Sequence, residues 1–292
     1  MSSCSICNST TARVLYTAVD RLSNSGERFT IVECEGCGVL RTAPDMSYAE
    51  LARFYPEDYW GDSAEPSDTW IRRSQREKLE FLGRCGLTGG RILDVGCGAG
   101  FFLRALESDR WERFGVETGD KAATIARRFL GDKIVQGTFS AAQFQRESFD
   151  VVSFWSALEH TNEPRENLIS AAELLRPGGT LIVQLPNATS YQAQAFGGDW
   201  FSLDAPRHRY HYSPSALERL LKETGFSVYR TSYFSRAHNA HALRQSLKKR
   251  LLSAGAGARV VFYLSIPFIR PFDSLMSALG KGATMTVGAR KF

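Results

Sequence analysis

The chain has 292 residues, 43% apolar and 23% charged, and its 36 Lys and Arg against 31 Asp and Glu give a formal charge of +5. These proportions exclude a low-complexity or fibrous chain and suit a soluble globular protein of one large domain or two unequal ones. The longest uncharged apolar stretch, Val260 to Ile269, has ten residues, about half of the roughly 20 that a membrane-spanning helix needs, so no span is predicted.

Met1 is followed by Ser-Ser-Cys and not by a basic stretch and an apolar run, so no secretory signal is read and a cytoplasmic location is expected. In a reducing compartment the six cysteines serve as ligands or free thiols sooner than as disulfides. The charge divides unevenly. Residues 1–200 carry 21 Lys and Arg against 27 Asp and Glu, a balance of −6, whereas 201–292 carry 15 against 4, a balance of +11. An anionic partner at the C-terminal part is therefore expected, whether phosphate, nucleic acid or a membrane surface.

Four cysteines form two knuckles, Cys4-x2-Cys7 and Cys34-x2-Cys37, separated by 26 residues. Each knuckle sets two thiolates on one tight turn, Gly36 and Gly38 ease the second turn, and together they complete a closed tetrahedral zinc site. The intervening Arg13 to Val19 and Arg28 to Glu33 read as a ribbon hairpin. Four cysteines leave no open position, so a structural Zn2+ is expected, holding residues 1–45 as a ribbon-like module too small for its own core.

Tyr48 to Tyr55 reads as a short helix, Tyr55-Pro-Glu-Asp-Tyr-Trp60 as an aromatic turn and 61–68 as a polar hinge, so that 46–69 form a linker or lid. From Trp70 an amphipathic helix leads to Arg91, after which strands and helices alternate as in a parallel sheet with covering helices. The strands expected are Arg91 to Val95, Arg113 to Glu117, Lys133 to Gln136, Phe149 to Trp155, Thr180 to Pro186, Ser227 to Tyr233 and Ala283 to Arg290. They predict an α/β fold over 70–292, a doubly wound and mostly parallel seven-stranded sheet, behind the small N-terminal ribbon.

The string Ile92-Leu-Asp-Val-Gly-Cys-Gly-Ala-Gly100 joins a buried strand to a helix beginning near Phe101. Glycines at 96, 98 and 100 let the backbone pass close to a ligand with a helix N-terminus behind it. A dinucleotide fingerprint would place its third glycine at 101, where Phe101 stands, which disfavours a dehydrogenase. The next strand ends at Glu117, where a carboxylate can take both hydroxyls of a ribose.

In these residues the chain resembles the class I S-adenosylmethionine-dependent methyltransferases, over about 70–235, with the last strand near 283–290 completing that family's Rossmann-like fold. The resemblance implies that the loop of Asp94, Gly96, Gly98 and Gly100 wraps the methionine part of S-adenosyl-L-methionine and that Glu117 binds its ribose. Phe149-Asp-Val-Val-Ser-Phe-Trp155 and Leu174-Leu-Arg-Pro-Gly-Gly179 match the family's fourth strand and the turn into its fifth; Trp155 is grouped with the cofactor site. After the third strand, where the family usually has an acid for the adenine amino group, Gly137 is followed by Thr138 and Phe139, and Phe139 is expected on the adenine face.

A sulfonium already activates its methyl group, so the protein must align an acceptor, exclude water and handle the acceptor's proton. Trp155-Ser-Ala-Leu-Glu-His160 follows the fourth strand, and Asp204-Ala-Pro-Arg-His208-Arg-Tyr-His211 lies between the fifth and sixth. Convergence of Glu159, His160, His208 and His211 is expected, with His160 as a general base. Ser156-x-x-Glu159-His160 also resembles the Glu-x-x-Glu-His metal site of ubiquinone-pathway and small-RNA methyltransferases; Ser156 in place of the first glutamate puts Mg2+ in doubt. Tyr59, Trp60, Trp155, Trp200, Phe201 and Tyr212 are candidate pocket walls.

Between the sixth and seventh strands about 50 residues stand where a short turn would do, an insertion at about 236–281. Arg244, Lys248, Lys249 and Arg250 alternate with Leu243, Leu247, Leu251 and Leu252 in helical spacing, Ser253 to Ala258 reads as a small-residue linker, and an apolar segment interrupted by Pro267 and Pro271 follows. It reads either as a helical cap or as peripheral attachment through 243–272 to the inner membrane surface. The functional expectation is methyl transfer to an oxygen of a small-molecule, sugar or lipid-linked acceptor. The alternative is a protein that binds or modifies RNA through its ribbon and basic C-terminal region.

Overall fold

The computed structural model describes residues 3–23, 25–56, 66–252 and 256–292. Three strands, β1 (Ala12–Val19), β2 (Arg28–Cys34) and β3 (Leu40–Ala43), form the ribbon. Ser47 and Glu50 make a reciprocal capping box at the start of the short helix α1 (Tyr48–Ala52). The next helix, α2 (Asp68–Arg84), opens on the Ser67 hydroxyl. It stops seven residues short of the expected Arg91 because Gly86 takes φ +76 and the Leu87 amide folds back to the Leu82 carbonyl at 3.0 Å, a hydrogen-bonded C-cap.

Beyond it the order is β4 (Gly90–Val95), α3 (Phe101–Ala105), β5 (Trp111–Glu117), α4 (Asp120–Leu130), β6 (Ile134–Gln136), β7 (Phe149–Trp155), α5 (Pro164–Leu174), β8 (Leu175–Pro186), α6 (Tyr191–Phe196), β9 (Tyr210–His211), α7 (Pro214–Glu223), β10 (Phe226–Ser232), α8 (Asn239–Leu252), α9 (Ala256–Ala278) and β11 (Thr284–Lys291). The seven expected strands are all present.

They form one sheet in the order β10-β11-β8-β7-β4-β5-β6. Only β11 runs antiparallel to its neighbours β8 and β10, while the rest pair in parallel. Leu93, Val152, Phe154, Leu181 and Val183 are fully buried, as strands covered on both faces require. The order reverses between β4 and β7, and in such sheets ligands bind at that switch point, outside the carboxyl ends of the strands.

The ribbon is not free of this domain. β3 pairs with β9, Leu40 opposite His211 and Arg41 opposite Tyr210, which makes a four-stranded antiparallel sheet β1-β2-β3-β9. Cys4, Cys34 and Cys37 share an apolar cluster with Tyr210, Tyr212 and Leu217. Arg165 Nε of α5 donates to the Ile6 carbonyl at 2.6 Å and Arg219 of α7 donates to that of Cys37.

In the insertion, Leu243 of α8 and Ile269 of α9 are buried in one cluster with Phe196 and Trp200. The helix α9 runs through Pro267 and Pro271 without a break. Both prolines are exposed, so the two missing N–H groups, which would have served the Tyr263 and Pro267 carbonyls, fall on the side of the helix turned away from the core. The expected linker at 253–258 lies partly outside the described residues. No helix among them is long and apolar enough to cross a membrane.

Candidate active site

β4 ends in the glycine loop. Gly96, Gly98 and Gly100 take φ of +72, +56 and +77, and a Cβ on Gly96 would stand 2.7 Å from the Cβ of Ala157. The loop therefore lies directly against the segment that follows β7. Asp94, 2% exposed, accepts a hydrogen bond from the Ser153 hydroxyl at 2.8 Å, and burial pushes its carboxyl up to about 7.

Glu117 Oε2 accepts the Gly98 amide at 2.8 Å and Oε1 the Gly119 amide at 2.7 Å. Its carboxylate thus ties the end of β5 to the loop. Oε1 also accepts the Thr118 hydroxyl at 3.4 Å, whereas Oε2 keeps a second acceptor position for the ribose role expected from sequence. Phe139 meets Phe154 edge-on at 5.9 Å. Trp155 packs between Phe81 and Phe102, at 6.4 and 5.3 Å. A residue that the sequence did not single out, Lys78 of α2, holds its ammonium 5.4 Å from the Trp155 ring and 5.6 Å from that of Phe102. Burial lowers its pKa, against the attraction of Asp94. In a sequence such a lysine looks like any other charge on an amphipathic helix.

The two histidine stretches converge. The Arg209 amide donates to the Glu159 carbonyl at 2.8 Å, and the rings of His160 and His208 meet edge-on at 4.6 Å, with His211 6.4 Å from His208. A backbone carbonyl can only accept, so each contact to one fixes a tautomer. His160 Nδ1 donates to the Arg207 carbonyl at 3.1 Å and His208 Nδ1 to that of Ser202 at 2.9 Å. Both Nε2 atoms are left as acceptors. The Thr42 hydroxyl donates to the His208 carbonyl at 2.7 Å and so accepts from His211 Nε2 at 3.1 Å. His211 Nδ1 is buried without a partner among the described residues.

Glu159 is 1% exposed and neither carboxylate oxygen has a hydrogen-bond partner among the described residues. Burial pushes it up to about 8 and draws His160 and His211 down to about 3 and His208 to about 4. At neutral pH the cluster is largely uncharged. Ser156 sits at φ +53, a left-handed conformation rare outside glycine. One ligand atom each of Glu159, His160 and His208 lies within 4.8 Å of the others. Two imidazoles and one carboxylate suit a transition metal and not Mg2+, which prefers oxygen donors and retained waters.

Of the aromatic residues taken as pocket walls, Trp200 and Tyr212 are fully buried in the core. Phe201 turns its ring to His241 at 5.3 Å. Large apolar side chains between packed layers gain more from burial than from lining a cleft. Tyr59 and Trp60 lie outside the described residues. Tyr55 does reach the cluster, its hydroxyl 3.3 Å from His160 Nδ1.

In the ribbon, the Cys4 and Cys37 sulfurs are 3.8 Å apart and those of Cys7 and Cys34 3.5 Å, and all four lie within 4.8 Å of one another. Zn–S bonds of about 2.3 Å in a tetrahedron give edges of about 3.8 Å, so the cage fits the ion. A Cβ on Gly36 would stand 2.8 Å from Ser9 and 3.1 Å from the Cys7 sulfur, which is why the second knuckle has glycine there.

Residues 68–231 match the family model described as a methyltransferase domain. The chain belongs to that family. Over 199 residues the methyltransferase is 30% identical to the ubiquinone biosynthesis O-methyltransferase of Thiobacillus denitrificans, covering 63% of this chain and 85% of the relative. Over 164 residues it is 29% identical to the protein of the same name from Aromatoleum aromaticum, covering 52% and 70%. The structure of an S-adenosylmethionine-dependent methyltransferase from Archaeoglobus fulgidus superposes with a TM-score of 0.51 at 18% identity, over 84% of this chain and 100% of that one, and shows the same fold. The protein is an S-adenosylmethionine-dependent methyltransferase with a ribbon-like module at its N-terminus.

Proposed function

We propose that this methyltransferase methylates a hydroxyl oxygen of a small or lipid-linked acceptor, with the buried carboxylate of Glu159, without a hydrogen-bond partner among the described residues, beside two oriented histidines carrying the reading. The names of the relatives support oxygen as the atom. The acceptor oxygen bonds to the methyl carbon as the S–C bond breaks, leaving S-adenosylhomocysteine, and the hydroxyl proton passes to the cluster. A base works best with a pKa near the working pH. Glu159, at about 8, meets that better than His160, at about 3. His160 and His208 then act as neutral acceptors that orient the hydroxyl through Nε2, and His211 completes the wall.

Asp94, Gly96, Gly98, Gly100 and Glu117 hold the cofactor in this reading, with Phe139 on the adenine side and Trp155 as the wall behind Lys78. Cys4, Cys7, Cys34 and Cys37 hold zinc, and 1–45, 46–69 and 70–292 are ribbon, linker and catalytic domain. A cytoplasmic protein that touches the inner membrane surface through 243–272 fits a lipid-linked acceptor. A second reading, a transition metal on Glu159, His160 and His208, is favoured by the proximity of their ligand atoms. The comparisons add nothing to the RNA alternative.

The deciding experiment transfers labelled methyl groups from the cofactor into fractionated extract. Label in an alkali-stable methyl ether of a lipid or small-molecule pool is expected. Label in RNA, or on nitrogen, would overturn the proposal.

A further inference from the structure

We infer that the outer face of α9 is a docking surface for an anionic lipid bilayer, on which the enzyme lies without crossing it. Val260, Leu264, Phe268 and Leu275 recur every four or seven residues and form one stripe along the helix. Leu264 is 68% exposed and Phe268 70%. The opposite face is spent on the protein: Phe262 and Ile269 are buried, the latter against Leu243 of α8. Of α9's two faces, then, one packs and the other carries its large apolar side chains into solvent. Contiguous apolar surface of this kind marks an interaction site.

The surrounding charge identifies the occupant. Residues 239–281 contain seven Lys and Arg and one acid, Asp273. Asp273 is buried and accepts a hydrogen bond from the Tyr191 hydroxyl at 3.1 Å, so its charge is turned inward. Arg259 and Arg270 fall at one margin of the stripe in the helical repeat, and with Arg244 and Lys248 of α8 they are exposed and form no ion pair among the described residues. A second copy of the chain would set these cations against one another about a two-fold axis. An anionic bilayer neutralises them while it takes up the apolar stripe, which is how interfacial helices bind. No described helix can span a membrane, which leaves attachment in the plane of the interface. The inference does not rest on the methylation chemistry.

The test is flotation of the full chain with vesicles of phosphatidylcholine alone and of phosphatidylcholine with 30% phosphatidylglycerol, at low and high salt. Binding at least tenfold tighter to the anionic vesicles, weakened by salt, is expected. The double substitution Leu264→Asp and Phe268→Asp should remove at least tenfold of that affinity while the circular dichroism and cofactor binding stay unchanged, since both side chains point away from the core. Three results would overturn the inference: no flotation with anionic vesicles, unchanged flotation of the variant, or a stable dimer that the same substitutions break.

Discussion

Thr42 Oγ1 lies 3.1 Å from His211 Nε2, so a hydroxyl from the ribbon sets the tautomer of a histidine in the catalytic domain. The link is one-directional, because the same hydroxyl gives its only proton to the His208 carbonyl at 2.7 Å. The ribbon therefore does more than stabilise its own fold. It fixes which ring nitrogen of His211 carries the proton.

Replacing Thr42 by Val should leave His211 Nε2–H without an acceptor, at a cost of about 1–3 kcal/mol of stability. The turnover rate should fall by about 10-fold, the rate equivalent of about 1.4 kcal/mol of lost alignment in the cluster. Thr42→Ser should restore it, and calorimetry should find cofactor affinity unchanged in both variants.

Glu117→Ala removes the carboxylate that accepts the Gly98 and Gly119 amides. Binding of S-adenosylhomocysteine should weaken by about 1–3 kcal/mol, measured by calorimetry, the scale for deleting one partner of a charged hydrogen bond. Unchanged affinity would remove Glu117 from the cofactor site.

The rate should rise with pH and level off above about 8 as Glu159 loses its proton. Glu159→Gln should abolish that limb and most of the activity. A limb near the ordinary histidine pKa of ~6.5 would assign the base to a histidine instead.

Stability should follow the histidines on the acid side. His160, His208 and His211 hold folded pKa values of about 3 to 4, below the unfolded ~6.5. As pH falls below 6.5 the unfolded chain takes up protons that the folded one refuses, so stability is lost. Glu159, raised to about 8, opposes this, since its contribution is present below the unfolded carboxyl pKa and fades as pH rises toward 8. Asp94, raised to about 7, acts as Glu159 does, and His238, lowered to about 4, acts as the other histidines do. With four histidines against two carboxyls, the melting temperature should drop between pH 6.5 and 4. Glu159→Gln should flatten the decline from 6.5 to 8.

Elemental analysis of the full chain should find one zinc, lost in Cys34→Ser together with much of the stability, since structural zinc binding is coupled to folding. A metal-free protein of equal stability would refute the cage. A second metal that vanishes with Glu159→Gln would sustain the metal reading of the Glu-His-His cluster.

The seven strands of the main sheet and the cofactor loop were legible in the residues because they depend on short-range signals. A run such as Ile92 to Val95 ahead of three glycines declares strand, turn and ligand approach within nine positions. The two knuckles are equally local. The Glu159–His160 and His208–His211 stretches were visible as clusters of scarce residue types, and their convergence could be expected from the fold.

What the residues alone could not give depends on contacts between distant positions. β3 and β9 are four and two residues long, too short for any periodicity, and exist because β2 offers β3 a partner and β3 in turn offers one to β9. Trp200 and Tyr212 look like pocket aromatics until the packing buries them, and Lys78 looks like a surface charge until α2 lays it over Trp155. The continuity of α9 through two prolines depends on both of them falling on the side turned away from the core. Sequence by itself determined the parallel sheet, the glycine loop and the cysteine cage, whose signals lie within a few residues of one another. Tertiary structure decided the tautomers, the burial of the Glu159 carboxylate and the exposure of the apolar stripe on α9, because burial and hydrogen-bond completion are properties of the assembled chain.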